Sequence, residues 1–78
     1  MDWKSISVPQ GSKLFKVHRF TYMHKGVNYL LEIDEFLDGN CTGHGEHSTD
    51  RNFIIESVSS QSVKESLQAL IEKIESRA

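Results

Sequence analysis

Residues 38–52, DGNCTGHGEHSTDRN, gather the single cysteine of the chain, two of its four histidines and three of its five glycines. Cys41, His44 and His47 follow the spacing C-x2-H-x2-H, with Glu46 and Asp50 close by. Thiolate, imidazole and carboxylate are the groups that hold a zinc ion, and a cysteine near a histidine is also the pairing of a nucleophile with its base. Structural zinc sites, however, draw their ligands in pairs from separate segments, and no second Cys or His pair exists here. His18 or His24 would complete a site only if the fold brought a sheet edge to this segment. Catalysis needs more still, an oriented dyad with oxyanion donors in a cleft, which spacing does not encode. Gly39, Gly43 and Gly45 resemble a phosphate-cradling loop only in composition, since no Lys-Ser/Thr pair follows and no helix starts there.

Two conformations of this segment have different chemical consequences. As a glycine-bent polar connection it leaves Cys41, His44 and His47 as candidate metal ligands. As a strand it sets Cys41, Gly43, Gly45 and His47 on one face and Thr42, His44 and Glu46 on the other, and the candidate site vanishes. The connection is the first expectation, because three glycines weaken a strand. No cofactor is expected, and the chain is read as non-enzymatic.

The surrounding elements are easier to read. Residues 1–13 carry Pro9 and Gly11 among polar residues, with Trp3, Ile6 and Val8 spaced between, and suggest an irregular arm. Residues 14–37 read as a β-hairpin. Leu14 to His24 is rich in aromatic and β-branched residues, Lys25-Gly26 is a tight turn, and Val27, Tyr29, Leu31, Ile33 and Leu37 then share one face. A two-residue turn pairs His24 with Val27 and fixes every later pair. On one face Tyr22 meets Tyr29, Phe20 meets Leu31, His18 meets Ile33, Lys16 meets Glu35 and Leu14 meets Leu37. On the other Arg19 meets Glu32, Phe15 meets Phe36 and Lys13 meets Asp38. Each such pair contributes roughly 0.2–1 kcal/mol, and a slip by one residue would set Phe20 against Glu32 or Leu30.

Residues 53–58 read as a further strand, and Cys41 to His47 would form a hairpin with it through a turn near Ser48 to Asp50. Ser62-Val63-Lys64-Glu65 is a capping box, after which Val63, Leu67, Leu70, Ile71 and Ile74 fall on one helical stripe over residues 63–76. Lys73 and Arg77 suit the C-terminal end of the helix dipole. The expected fold is α+β: an antiparallel β-meander of three to four strands with one C-terminal amphipathic helix packed on one face, in a single domain. The face of Tyr22, Tyr29, Phe20, Leu31 and Ile33 is expected to receive the helix.

One helix covers one face of a sheet. The opposite face should carry Phe15, Val17, Met23, Leu30 and Phe36 among Arg19, Glu32, Asp34 and Asp38, more apolar side chains than a solvated face needs. Either the N-terminal arm covers it with Trp3, Ile6 or Val8, or a partner does. Phe15, Val17, Arg19, Met23, Leu30, Glu32 and Phe36 are therefore the candidate interaction residues.

Composition narrows the partner. Of 78 residues, 37% are hydrophobic and 26% charged, with a net charge of -2. That balance gives no general attraction to nucleic acid or anionic lipid, and Glu32, Asp34 and Asp38 would repel phosphates. No apolar run approaches the roughly 20 residues of a membrane span. The start MDWKSISVPQGSK lacks an apolar leader and one cysteine forms no internal disulfide, so a cytoplasmic setting is expected. The partner expected is a protein of unknown identity, with a homo-oligomer as one form of it, and neither nucleic acid nor membrane.

The order of strands followed by the capped helix SSQSVKESLQALIEKI resembles the small HicB-like antitoxin domains and, more distantly, the last two-thirds of a double-stranded-RNA-binding domain, over about residues 27–75. Both resemblances concern layout. The loop motif of the first is represented only by Gly39-Asn40-Cys41, and the basic pair opening the helix of the second is replaced by Gln61-Ser62-Val63. The functional expectation is a small protein-interaction module of antitoxin-like, inhibitor or adaptor type; the alternative is a metal-binding module using Cys41, His44 and His47.

Overall fold

The computed structural model describes residues 2–77. Four strands, β1 (Phe15–His24), β2 (Val27–Phe36), β3 (Cys41–His47) and β4 (Ile54–Ser60), form one antiparallel sheet in the order β1-β2-β3-β4, and a helix, α1 (Val63–Arg77), packs on it. The α+β meander expected from the sequence is the fold, with β3 as its fourth strand. A short 3-10 turn, Trp3–Ser5, lies in the N-terminal arm, where the Asp2 carboxylate accepts a hydrogen bond from the Lys4 amide at 3.0 Å.

The turn between β1 and β2 decides which side chains reach which face. Lys25 has φ 52° and Gly26 φ 78°, the doubly left-handed turn whose twist matches that of the strands it joins. His24 consequently pairs with Val27, and the register runs unbroken to Phe15 opposite Phe36, as the sequence predicts. The expected pairs Leu14–Leu37 and Lys13–Asp38 fall outside the two strands, which end at Phe15 and Phe36.

Cys41 to His47 is a strand, which corrects its reading as a connection. It pairs with β2 from Tyr29–His47 to Glu35–Cys41 and with β4 from Cys41–Ser60 to Glu46–Ile54. Its glycines are explained by what lies over them. A Cβ on Gly43 would stand 2.9 Å from Ile33 Cδ1, 3.0 Å from Val58 Cγ2 and 3.1 Å from Leu70 Cδ1, and one on Gly45 would stand 2.7 Å from Leu31 Cδ2. Neighbouring strands and the helix occupy the space that a side chain would need. Here glycine marks close approach within a strand.

The core is Tyr29, Leu31, Ile33, Cys41, Ile55, Leu70 and Ile74, with Val58, Val63, Leu67 and Ile71 partly buried around it. The capping interaction forms as expected, the Glu65 amide donating to Ser62 Oγ at 3.1 Å. Ser66, fully buried in the first turns of α1, shares a 2.6 Å hydrogen bond with Ser60 Oγ, so the burial of that hydroxyl is compensated.

Helix placement departs from expectation at one edge. α1 lies over β2, β3 and β4 and touches β1 chiefly where the Tyr22 hydroxyl donates to the Glu75 carboxylate, a bond that raises the phenol pKa. Phe20, expected beneath the helix, is therefore 38% exposed. Among the described residues no helix is long and apolar enough to cross a membrane.

Candidate protein-interaction surface

Alternation along β1 and β2 turns Phe15, Val17, Arg19, Thr21, Met23, Leu30, Glu32, Asp34 and Phe36 away from the helix, and Ile54 of β4 joins them. Large apolar side chains remain open on this outer face: Met23 is 67% exposed, Ile54 65%, and Phe15, Val17 and Leu30 are close to 40%. Phe36 is half-buried because its ring packs on Phe15, with centroids 5.1 Å apart. Ile54 was missed in the sequence, because the parity of β4 was not fixed without the pairing of β3.

The register arranges these residues as two apolar areas with a polar row between. Phe15, Phe36 and Val17 occupy one end. Met23, Leu30 and, beyond Glu46, Ile54 occupy the other. Across the middle runs Arg19–Glu32–His44: Arg19 Nε lies 2.6 Å from Glu32 Oε2, and His44 Nε2 lies 3.1 Å from Glu32 Oε1. The Arg19 guanidinium, and after it His44, hold the Glu32 carboxyl below its ordinary pKa, and Glu32 in turn raises that of Arg19. This row floors an open depression of about 510 Å³ that also touches Thr21, Leu30 and Glu46. The outer face thus has apolar areas at its two ends and, between them, a polar row whose charges are satisfied within the chain.

Among the described residues the N-terminal arm is tied to the helix side of the sheet through Lys4. Lys4 reaches Glu35, a helix-side residue of β2, with Nζ 2.6 Å from Oε2. His18 Nε2 binds the other oxygen of that carboxylate at 2.8 Å. Lys4 foremost, then His18, lowers the Glu35 pKa, and Glu35 raises that of Lys4. Lys16 stands opposite Glu35 in register, as expected, but Lys4 and His18 take the carboxylate. Ile6 remains 46% exposed.

Strand geometry separates the candidate metal ligands. Cys41 is buried on the helix side, where desolvation raises its thiol pKa and removes the thiolate character that metal binding or nucleophilic attack requires. His44 lies on the outer face against Glu32. His47 is on the helix side at the far end of β3, its ring edge-on to Tyr29 at 5.3 Å, its Nδ1 accepting from the amides of Thr49 at 3.1 Å and Asp50 at 2.9 Å. That nitrogen organises the β3–β4 turn. Among the described residues no three His, Cys, Asp or Glu side chains converge as metal ligands. Comparison with protein-family models, curated proteins and solved structures found no match, so the geometry of the surface carries the functional reading.

Proposed function

We propose that this protein is a non-enzymatic protein-interaction module, of antitoxin-like, inhibitor or adaptor type, that works in the cytoplasm by occupying a partner with its outer sheet face. One observation carries the reading: Phe15, Val17, Met23, Leu30 and Ile54 lie exposed on the face away from α1, while Lys4 ties the arm to the opposite side.

A photo-crosslinking residue placed at Leu30 tests this in the producing cell, with the same residue at the exposed helix position Glu72 as control. A discrete protein adduct is expected from position 30 and lost on adding Phe15→Glu or Met23→Glu, both at exposed positions where the fold tolerates charge. Equal labelling from positions 30 and 72 would sink the proposal.

A further inference from the structure

The sheet has two free edges, and the chain treats them differently. At β4 the Arg77 guanidinium donates to the Ile54 carbonyl, Lys73 Nζ stands 3.7 Å from Glu56 Oε2, and a bulge opposite Gly43–Gly45 breaks the ladder. Bulges and covering side chains are how proteins keep a sheet edge from pairing. β1 has neither bulge nor covering side chain on its main chain among the described residues: it is regular from Phe15 to His24, contains no proline and meets the helix mainly at Tyr22, while its charges at Lys16 and Arg19 are the edge features it does carry.

The turn geometry also tells which main-chain groups are open. Because His24–Val27 closes a two-residue turn, the even-numbered residues of β1 exchange hydrogen bonds with β2. Phe15, Val17, Arg19, Thr21 and Met23 therefore direct their N–H and C=O groups away from the sheet.

We propose that a second copy of this chain adds to β1 in antiparallel fashion, joining the two four-stranded sheets edge to edge about a two-fold axis at Phe20. The pairing uses main-chain groups of the edge and takes from the outer face only its β1 margin, Val17 and Met23, so Leu30 and Ile54 remain open to the partner proposed above. Two requirements select the register. Outward-directed residues must meet outward-directed residues, which excludes every register pairing odd with even positions. Of the two remaining registers with the longest overlap, one centres on Arg19 and sets that guanidinium against its own copy, a like-charge opposition that destabilises a sheet. The other centres on Phe20. It sets Phe20 against Phe20, His18 against Tyr22 and Lys16 against His24 on the helix side, and Arg19 against Thr21 and Val17 against Met23 on the outer side. Each Arg19 stays on Glu32 of its own chain. The exposed areas of Phe20, Val17 and Met23, 38%, 36% and 67%, then find apolar neighbours. The two outer faces become continuous, a symmetric pairing of the kind most common among homo-oligomers.

At the axis the two Phe20 residues form a non-hydrogen-bonded pair, whose Cα atoms lie about 4.5 Å apart, within reach of a disulfide. Phe20→Cys under mild oxidation is expected to give a covalent dimer, whereas Leu30→Cys, exposed but away from the axis, is not. Sedimentation equilibrium of the unmodified chain should show a concentration-dependent dimer. Thr21→Pro deletes one outward N–H per copy, hence two bonds per dimer, and should raise the dissociation constant roughly 30-fold. Far-UV circular dichroism establishes that this variant is folded. Phe20→Lys, which alters no main-chain group, should dissociate the dimer independently. A chain that remains monomeric up to about 1 mM overturns the proposal. So does a dimer that withstands Thr21→Pro and Phe20→Lys but is broken by Leu30→Glu, because such a dimer would be stacked through its outer faces.

Discussion

The two faces of this sheet are made by the same four strands, with side chains assigned alternately to one or the other, yet they solve opposite problems. On the helix side the strands give up volume: Gly43 and Gly45 carry no side chain so that Leu31, Ile33, Val58 and Leu70 can close over β3. On the outer side the strands keep volume that stays exposed among the described residues, from Phe15 at one end to Ile54 at the other. Sequence hydrophobicity alone does not distinguish these faces. What distinguishes them is whether small residues answer large ones across the sheet, and only the helix side shows that complementarity.

The comparison is broken most directly by the same substitution on each face. Leu70→Ala removes a side chain with 0% exposure and should cost about 2–5 kcal/mol, a large share of the stability of so small a domain. Gly43→Val should also destabilise, by about 1–3 kcal/mol, because its Cβ alone would stand 2.9–3.1 Å from Ile33, Val58 and Leu70. Leu30→Ala on the outer face should stay within about 0.5 kcal/mol of the parent chain. Urea unfolding of dilute protein measures all three. A Leu30→Ala cost equal to that of Leu70→Ala would mean that the outer face is buried even in the isolated chain.

The assignment of residues to faces depends on the turn at Lys25-Gly26, since a slip by one residue would exchange the two faces of β1. Lys25 holds φ 52°, a conformation that costs an ordinary L-residue roughly 1 kcal/mol and that asparagine adopts more readily. Lys25→Asn should therefore raise stability by up to about 1 kcal/mol, read as a higher unfolding midpoint with unchanged m-value. A lower midpoint would show that interactions of the Lys25 side chain outweigh its backbone strain.

This dependence also explains how much of the molecule was legible. The hairpin from Phe15 to Phe36 could be read pair by pair, because a two-residue turn and a period of two leave one consistent register. The strand Cys41–His47 reads from its sequence as a connection because Gly39, Gly43 and Gly45 weaken a strand there. The signal present is one of parity: Cys41, Gly43 and Gly45 put three small residues in succession on one side, ahead of His47, the mark of a strand pressed beneath its neighbours. Position 20 was assigned to the core because periodicity gives the helix a buried stripe without saying which strands lie under it. The outer-face residues were legible as a set, since they follow from the hairpin register and the presence of only one helix. Ion pairs were least legible. Glu35 has Lys16 opposite it yet binds Lys4 and His18, and no local pattern foretells the return of an arm to the sheet.

That arm gives the smallest expected effect and a final test of which face it belongs to. Lys4 and His18 hold Glu35 below its ordinary pKa of 4.5, so the carboxylate contributes stability that is present above pH 4.5 and is lost as pH falls through the depressed value. Lys4, its pKa raised above 10.5, contributes below that pH and loses the contribution only in strong alkali, so the acid limb reports the carboxylate. Glu35→Gln should lower stability slightly at pH 7, and the difference from the parent should shrink as pH falls through the depressed Glu35 value and its carboxylate is neutralised. Lys4→Ala should reproduce part of the pH 7 difference, whereas Arg19→Ala, at the outer-face carboxylate Glu32, should leave the Glu35 titration unchanged. NMR titration of the Glu35 side-chain carboxyl provides the site-specific readout. A Glu35 pKa that follows Arg19 rather than Lys4 would place the arm elsewhere and reopen the outer face to cover by the chain itself; one that follows Lys4 keeps the start of the arm on the helix side.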